Sequence, residues 1–383
     1  MIRDVRIGAK ASGRTEREIC PLGNAGSRLK RFLRVQKGQK CTARLDSGLS
    51  AGVCTDHDGS DDNEGWSQRM RVAFTFPGQG SQAVGMGQAL AQQYAVARQV
   101  FEEVDEALDQ KLSSLIFNGP DDQLTLTANA QPALMAVSMA LLRVLEQEGF
   151  DLACHATYVA GHSLGEYSAL AAAGSFSIAD TARLLRIRGN AMQKAVAPGE
   201  GAMAALLGLD FDAANAVAQE AAQGDVCQAA NDNGGGQVVI SGTKAAIDRA
   251  VEIAKAKGAR RAVLLTVSAP FHCALMAPAA EAMREALAQI TIHAPKIPLY
   301  ANVHAAPVTD PQVIYDGLVA QVTGTVRWRE SVAAMAQAGV GLFVELGAGK
   351  VLTGLVKRIA DQAEGVACGA PDDIVSLKSR LGF

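Results

Sequence analysis

Val159-Ala160-Gly161-His162-Ser163-Leu164-Gly165-Glu166 decides how the rest of the chain is read. Small and apolar residues lead in from Tyr158, and an alanine-rich helical pattern leads out from Tyr167 to Ala173. The pattern predicts a strand, a tight turn and a helix. Within it, Gly161-His162-Ser163-Leu164-Gly165 fits G-x-S-x-G, the turn that lifts a nucleophilic serine off the end of a strand. Such a turn brings backbone against backbone, so a Cβ at Gly161 or Gly165 would clash. Ser163 then stands at the apex. The Leu164 N–H points from the helix N-terminus toward charge developing on an attacked carbonyl. A glycine-flanked N-cap serine has the same pentapeptide, so the surroundings must decide.

Those surroundings are α/β. Arg71 to Phe76 reads as a short strand ending in Pro77-Gly78-Gln79-Gly80-Ser81-Gln82, a glycine loop that leads into a helix. Gly78-x-Gly80-x-x-Ala83 nominally matches a dinucleotide fingerprint, but the acids about 20 positions on, Glu102 and Glu103, fall inside a helical pattern. The loop reads better as a source of backbone N–H donors. Gln88 to Leu108 and Ala130 to Glu148 are helical, as is Ser177 to Val196, where Arg188 and Met192 share a face. This alternation predicts a large α/β-hydrolase-like domain with a mostly parallel sheet, over residues 70–200 and 268–363. Residues 201–267 read β-α-β-β-α-β, with Asn231 to Gly236 as a polar turn between two of the strands, a ferredoxin-like subdomain inserted in the larger one. A ligand cleft is expected between them. Residues 364–383 are expected to form a loosely held C-terminal tail.

Residues 1–69 differ from the rest. The first 45 are rich in Arg and Lys, and Asp56 to Glu64 is acidic, with no sustained helix or strand period. They read as a disordered or non-native extension, with the native start expected at Met70. Asp4, Glu16 and Glu18 count against a transit peptide.

The 383 residues are 49% apolar, enough for a sizeable core, and the net charge of -3 argues against nucleic acid as a main ligand. No apolar run reaches about 18 residues without charge, so no membrane span is expected. Seven scattered cysteines without a C-x-x-C pair suggest a reducing compartment and no zinc site.

Ser163 needs a base. Of six histidines, His272 is the best placed, because Ser268-Ala269-Pro270-Phe271-His272 puts it on a rigid loop. No acid follows in the order that an α/β-hydrolase triad requires. A backbone carbonyl would fix the imidazole tautomer equally well. A patatin-like Ser–Asp pair would have to use Asp316, which lies in a helical pattern.

Six segments occur in one order: Gly78 to Gln82, Gly161 to Glu166, Arg188-Gly189-x-x-Met192-Gln193, Asn231 with Gln237 to Gly242, Ser268 to His272, and Gln321 to Trp328. Together they closely resemble the malonyl-CoA:acyl carrier protein transacylases of bacterial fatty acid synthesis, from about Arg71 to Ala360. The resemblance implies a cytoplasmic, monomeric acyltransferase with malonyl-CoA as substrate, acyl carrier protein as partner and no permanently bound cofactor. The phosphopantetheine belongs to that partner. It implies Ser163 as nucleophile, His272 as base, and the Gln79 and Leu164 N–H groups as oxyanion hole. Arg188 would clamp the malonyl carboxylate, and the Gln321 carbonyl would orient His272. His162, Asn231 and Met192 would line the site. The family usually has proline where Thr325 stands here, which predicts a looser Gln321 loop. Arg186, Arg327 and Arg329 are candidates to meet an acidic carrier, or are surface charges. A serine hydrolase, a carrier-binding module without turnover, and a transferase of other extender acyl groups remain as alternatives. A hydrolase has no general need for Arg188.

Overall fold

The computed structural model describes residues 70–383, so the expectations for residues 1–69 lie outside the described residues. Ten strands are present among those described: β1 (Arg71–Phe76), β2 (Tyr158–Gly161), β3 (Gly201–Leu207), β4 (Cys227–Asp232), β5 (Gln237–Thr243), β6 (Arg261–Leu264), β7 (Leu299–Ala301), β8 (Ala306–Val308), β9 (Val340–Leu346) and β10 (Glu364–Cys368).

Six of them form one sheet in the order β10-β9-β1-β2-β7-β8. Every pairing in it is parallel except β7 with β8. Helices cover both faces, so its strands are apolar on both sides, as a parallel sheet requires. Val72, Phe74 and Phe76 face one core, whereas Ala73 joins Phe343, Tyr300 and Trp328 in a second. Helix Thr127–Gln147 has the length and hydropathy of a membrane span, yet 83% of its apolar window is buried inside the protein. It packs against Ala95–Leu108 and Ile178–Lys194.

The other four strands form an antiparallel sheet, β4-β5-β3-β6, with helices Phe211–Ala222 and Lys244–Ala256 on one face. The strand period of two divides its residues. Ala204, Leu206 and Ile240 pack with those helices, while Met203, Ala205 and Val239 join the main core. This is the α/β architecture with a ferredoxin-like unit that the strand and helix order predicts. Near the site, β4 is tied to the segment that runs from Gln321 to Trp328. The Val326 N–H donates to the Ala230 carbonyl at 2.8 Å, and the Asp232 N–H donates to the Val326 carbonyl at 2.9 Å.

Three expectations are corrected. The stretch after Glu364 is not a loose tail. β10 is the parallel edge strand on β9, and helix Pro371–Leu381 buries Ile374 and Leu377. Asp373 accepts the Gly369 and Ala370 N–H groups, each at 2.9 Å, where a carboxylate suits a helix start. The helix read over Gln88 to Leu108 is two, Gln88–Gln93 and Ala95–Leu108, broken where Tyr94 adopts an extended backbone. Asn231 lies on β4 rather than in the turn beyond it.

Candidate active site

β1 and β2 are neighbours and parallel, so the Gln79 loop and the Ser163 turn leave the sheet side by side at its carboxyl end. The expected close approach is present. A Cβ on Gly161 would lie 1.9 Å from the Gly165 carbonyl oxygen, and one on Gly165 would lie 2.2 Å from that of Phe76. Ser163 carries φ of 54°, a left-handed backbone that a non-glycine residue holds only where its surroundings enforce it.

His272 arrives from the loop after β6 and is 3% exposed. Its Nε2 lies 2.8 Å from Ser163 Oγ, and its Nδ1 lies 2.8 Å from the Gln321 carbonyl oxygen. A carbonyl only accepts, so Nδ1 carries the proton and Nε2 is left to receive the serine proton. Burial lowers the His272 pKa to about 3, and Arg188 adds to that, while the Gln321 carbonyl opposes it. In the Gln321 segment, where a looser loop is expected, Thr325 Oγ1 donates to the Ala229 carbonyl at 2.7 Å and ties the segment to β4.

Arg188 projects from helix Ile178–Lys194 and is 1% exposed. Its Nη1 donates to Gln131 Oε1 at 2.8 Å, and its Nη2 donates to Gln321 Oε1 at 2.8 Å and to Ser163 Oγ at 3.1 Å. The buried Nε has no acceptor among the described residues. Burial lowers the Arg188 pKa, opposed by nearby Tyr167 and Glu166. A buried guanidinium held largely by neutral amides is short of counter-charge, and a carboxylate meets that need.

These groups open on a cavity of about 610 Å³. Gln79, His162, Ser163, Leu164, Arg188, Met192, Asn231 and His272 all line it. Gln321, wholly buried, stands behind them. Leu164 is the N-cap of helix Gly165–Ala172, which places its N–H at the positive end of the helix. His162 Nε2 lies 2.9 Å from Asn233 Oδ1, so that nitrogen carries the proton if Oδ1 accepts, and burial lowers the His162 pKa.

Three basic residues singled out in the sequence are engaged inside the chain. Arg186 donates to Asn129 and Gln110, Arg327 pairs with Glu330, and Arg329 pairs with buried Asp232. Among the described residues, Lys350 and Arg358 line the cavity along with Arg188. Sequence reasoning also missed Gln131 and Asn233. Gln131 stands four residues after Thr127 on one helix face, and its Nε2 donates to Thr127 Oγ1 at 2.8 Å. That spacing was the available signal.

Residues 73–371 match the family model described as the acyl transferase domain. The malonyl CoA-acyl carrier protein transacylase of Bacillus subtilis is 46% identical over 305 residues, covering 79% of this chain and 95% of that protein. The Escherichia coli K12 protein of the same name is 47% identical over 301 residues, covering 79% and 96%. A crystal structure of an acyl-carrier-protein S-malonyltransferase from Bartonella henselae superposes with a TM-score of 0.81 at 58% identity, over 82% of this chain and all (100%) of that one. A malonyl-transacylase solved with its type II polyketide acyl-carrier protein gives 0.79 at 40% identity, over 81% and 99%.

Proposed function

The chain belongs to the acyl transferase domain family, and we propose that it moves a malonyl group from malonyl-CoA to the phosphopantetheine thiol of acyl carrier protein through an ester on Ser163. Ser163 Oγ attacks the thioester carbonyl as His272 Nε2 takes its proton. The tetrahedral oxyanion accepts the Gln79 and Leu164 N–H groups, and one such donor contributes roughly 2.7–4 kcal/mol in known cases. Collapse breaks the C–S bond, and His272 returns the proton to the departing CoA sulfur. The carrier's thiol then gives its proton to His272 and attacks the ester, and Ser163 leaves with the proton restored. CoA departs before the carrier reacts, so the kinetics are ping-pong.

The observation that carries this reading is Arg188. A buried cation 3.1 Å from the serine oxygen suits an acyl chain with its own carboxylate. Met192, Asn231 and His162 shape the rest of the acyl pocket. The steps use only this chain's own groups and the two thiols, so the reading asks for no resident cofactor. It carries with it cytoplasmic placement and the supply of malonyl units to fatty acid elongation.

The test is transfer itself. Protein, malonyl-CoA and holo acyl carrier protein are mixed and the carrier is weighed by mass spectrometry. Malonylated carrier with matching release of CoA is expected. Release of free malonate with the carrier unmodified would favour a hydrolase and overturn the proposal.

A further inference from the structure

Ser163 holds its left-handed backbone because side chains from two distant segments grip it from both sides. Its N–H donates to Asn302 Oδ1 at 2.8 Å, and its carbonyl accepts from Gln321 Nε2 at 3.0 Å. Asn302 Nδ2 also donates to the Gly161 carbonyl at 2.7 Å, bracing the other side of the turn. Both grips converge on a single atom. Glu166 Oε2 accepts the Asn302 main-chain N–H at 2.9 Å and Gln321 Nε2 at 3.0 Å. Glu166 and Asn302 are 1% exposed, and Gln321 is fully buried.

The same oxygen decides which way the Gln321 amide faces. With Nε2 drawn to Glu166 and to the Ser163 carbonyl, Oε1 must face Arg188 Nη2, 2.8 Å away. The Gln321 main-chain oxygen meanwhile holds His272. We propose that Glu166 is a positioning residue of this site, its Oε2 setting the Ser163 backbone and, through Gln321, the direction of Arg188. The proposal rests on the reading of Ser163 as the nucleophile. Glu166 keeps this place although burial raises its pKa to about 7, against the donors from Asn302 and Gln321 and the field of Arg188. A carboxylate that served only to start helix Gly165–Ala172 would affect stability and leave the reactivity of folded protein alone.

The experiment measures the rate at which diisopropyl fluorophosphate labels Ser163, followed by intact mass, with folding checked by circular dichroism. This probe needs no malonyl donor. A wild-type protein that labels but does not take malonyl would therefore defeat the proposed function and leave this inference standing. In Glu166→Ala the grip is lost, and a misplacement of about 1 Å costs roughly 100-fold in rate. Glu166→Gln keeps an acceptor oxygen in the same place and is expected to label within about tenfold of wild type. Wild-type labelling by Glu166→Ala, or equal losses in the two variants, would overturn the proposal. Should Glu166→Ala not fold, Asn302→Ala removes one grip directly and is expected to label at least tenfold more slowly. An unchanged rate there would overturn it too, as would a wild-type Ser163 that the probe does not label.

Discussion

Replacing Arg188 by alanine separates a carboxylate clamp from a general acyl pocket. Arg188 is 1% exposed, and its fork already touches Gln131, Gln321 and Ser163. Deleting one partner of a buried ion pair costs about 3–5 kcal/mol, because the other charge is left uncompensated. At about 1.36 kcal/mol per tenfold, that is roughly a 150- to 5,000-fold loss in kcat/KM for malonyl-CoA. An acetyl group has no carboxylate to strand. The variant also removes a cation that lowers the basicity of His272, so acetyl transfer is expected to hold or rise, within about tenfold. Arg188→Lys keeps the charge but loses the planar fork, and should fall between. The assay is single-turnover acylation from malonyl-CoA and acetyl-CoA, read as Ser163 adduct by intact mass. Equal losses for the two donors, or an unchanged malonyl preference, would refute the clamp.

Two further outcomes follow from the same geometry. The His272 pKa of about 3 lies below the ordinary 6.5, so its neutral form stabilises the fold above pH 6.5, and that contribution is lost as pH falls through about 3. The melting temperature should decline with acid over that window less steeply in His272→Ala, and wild-type acylation should show no bend at pH 6.5; a bend there contradicts the burial. Gly161→Ala drives a Cβ to 1.9 Å from the Gly165 carbonyl oxygen and is expected to cost more than about 4 kcal/mol, read from the urea midpoint. A wild-type midpoint would show that the turn is looser than this.

What the sequence made legible was local. The strand–turn–helix at Ser163 and the β-α-β-β-α-β order announce themselves through glycine placement and periodicity. What stayed hidden depends on contacts across long separations. Glu166 meets Gln321 over 155 positions, and Ser163 meets Asn302 over 139, with no local pattern to betray either. Glu364 to Cys368 is five residues with a glycine and no clear alternation, so its place on β9 comes from tertiary pairing. The expectation of a looser loop at Thr325 could not take in the hydroxyl's bond to Ala229, 96 positions away. The intramolecular partners of Arg186 and Arg329 stayed hidden for the same reason, since they lie 57 or more positions away.

The covalent step is tested most directly by intact-protein mass spectrometry after brief exposure to malonyl-CoA, beside a Ser163→Ala control. A gain of one malonyl group in the wild type alone, discharged on adding holo acyl carrier protein, is the expected result. An adduct that survives in the control, or turnover with no adduct formed, would contradict a malonyl ester on Ser163.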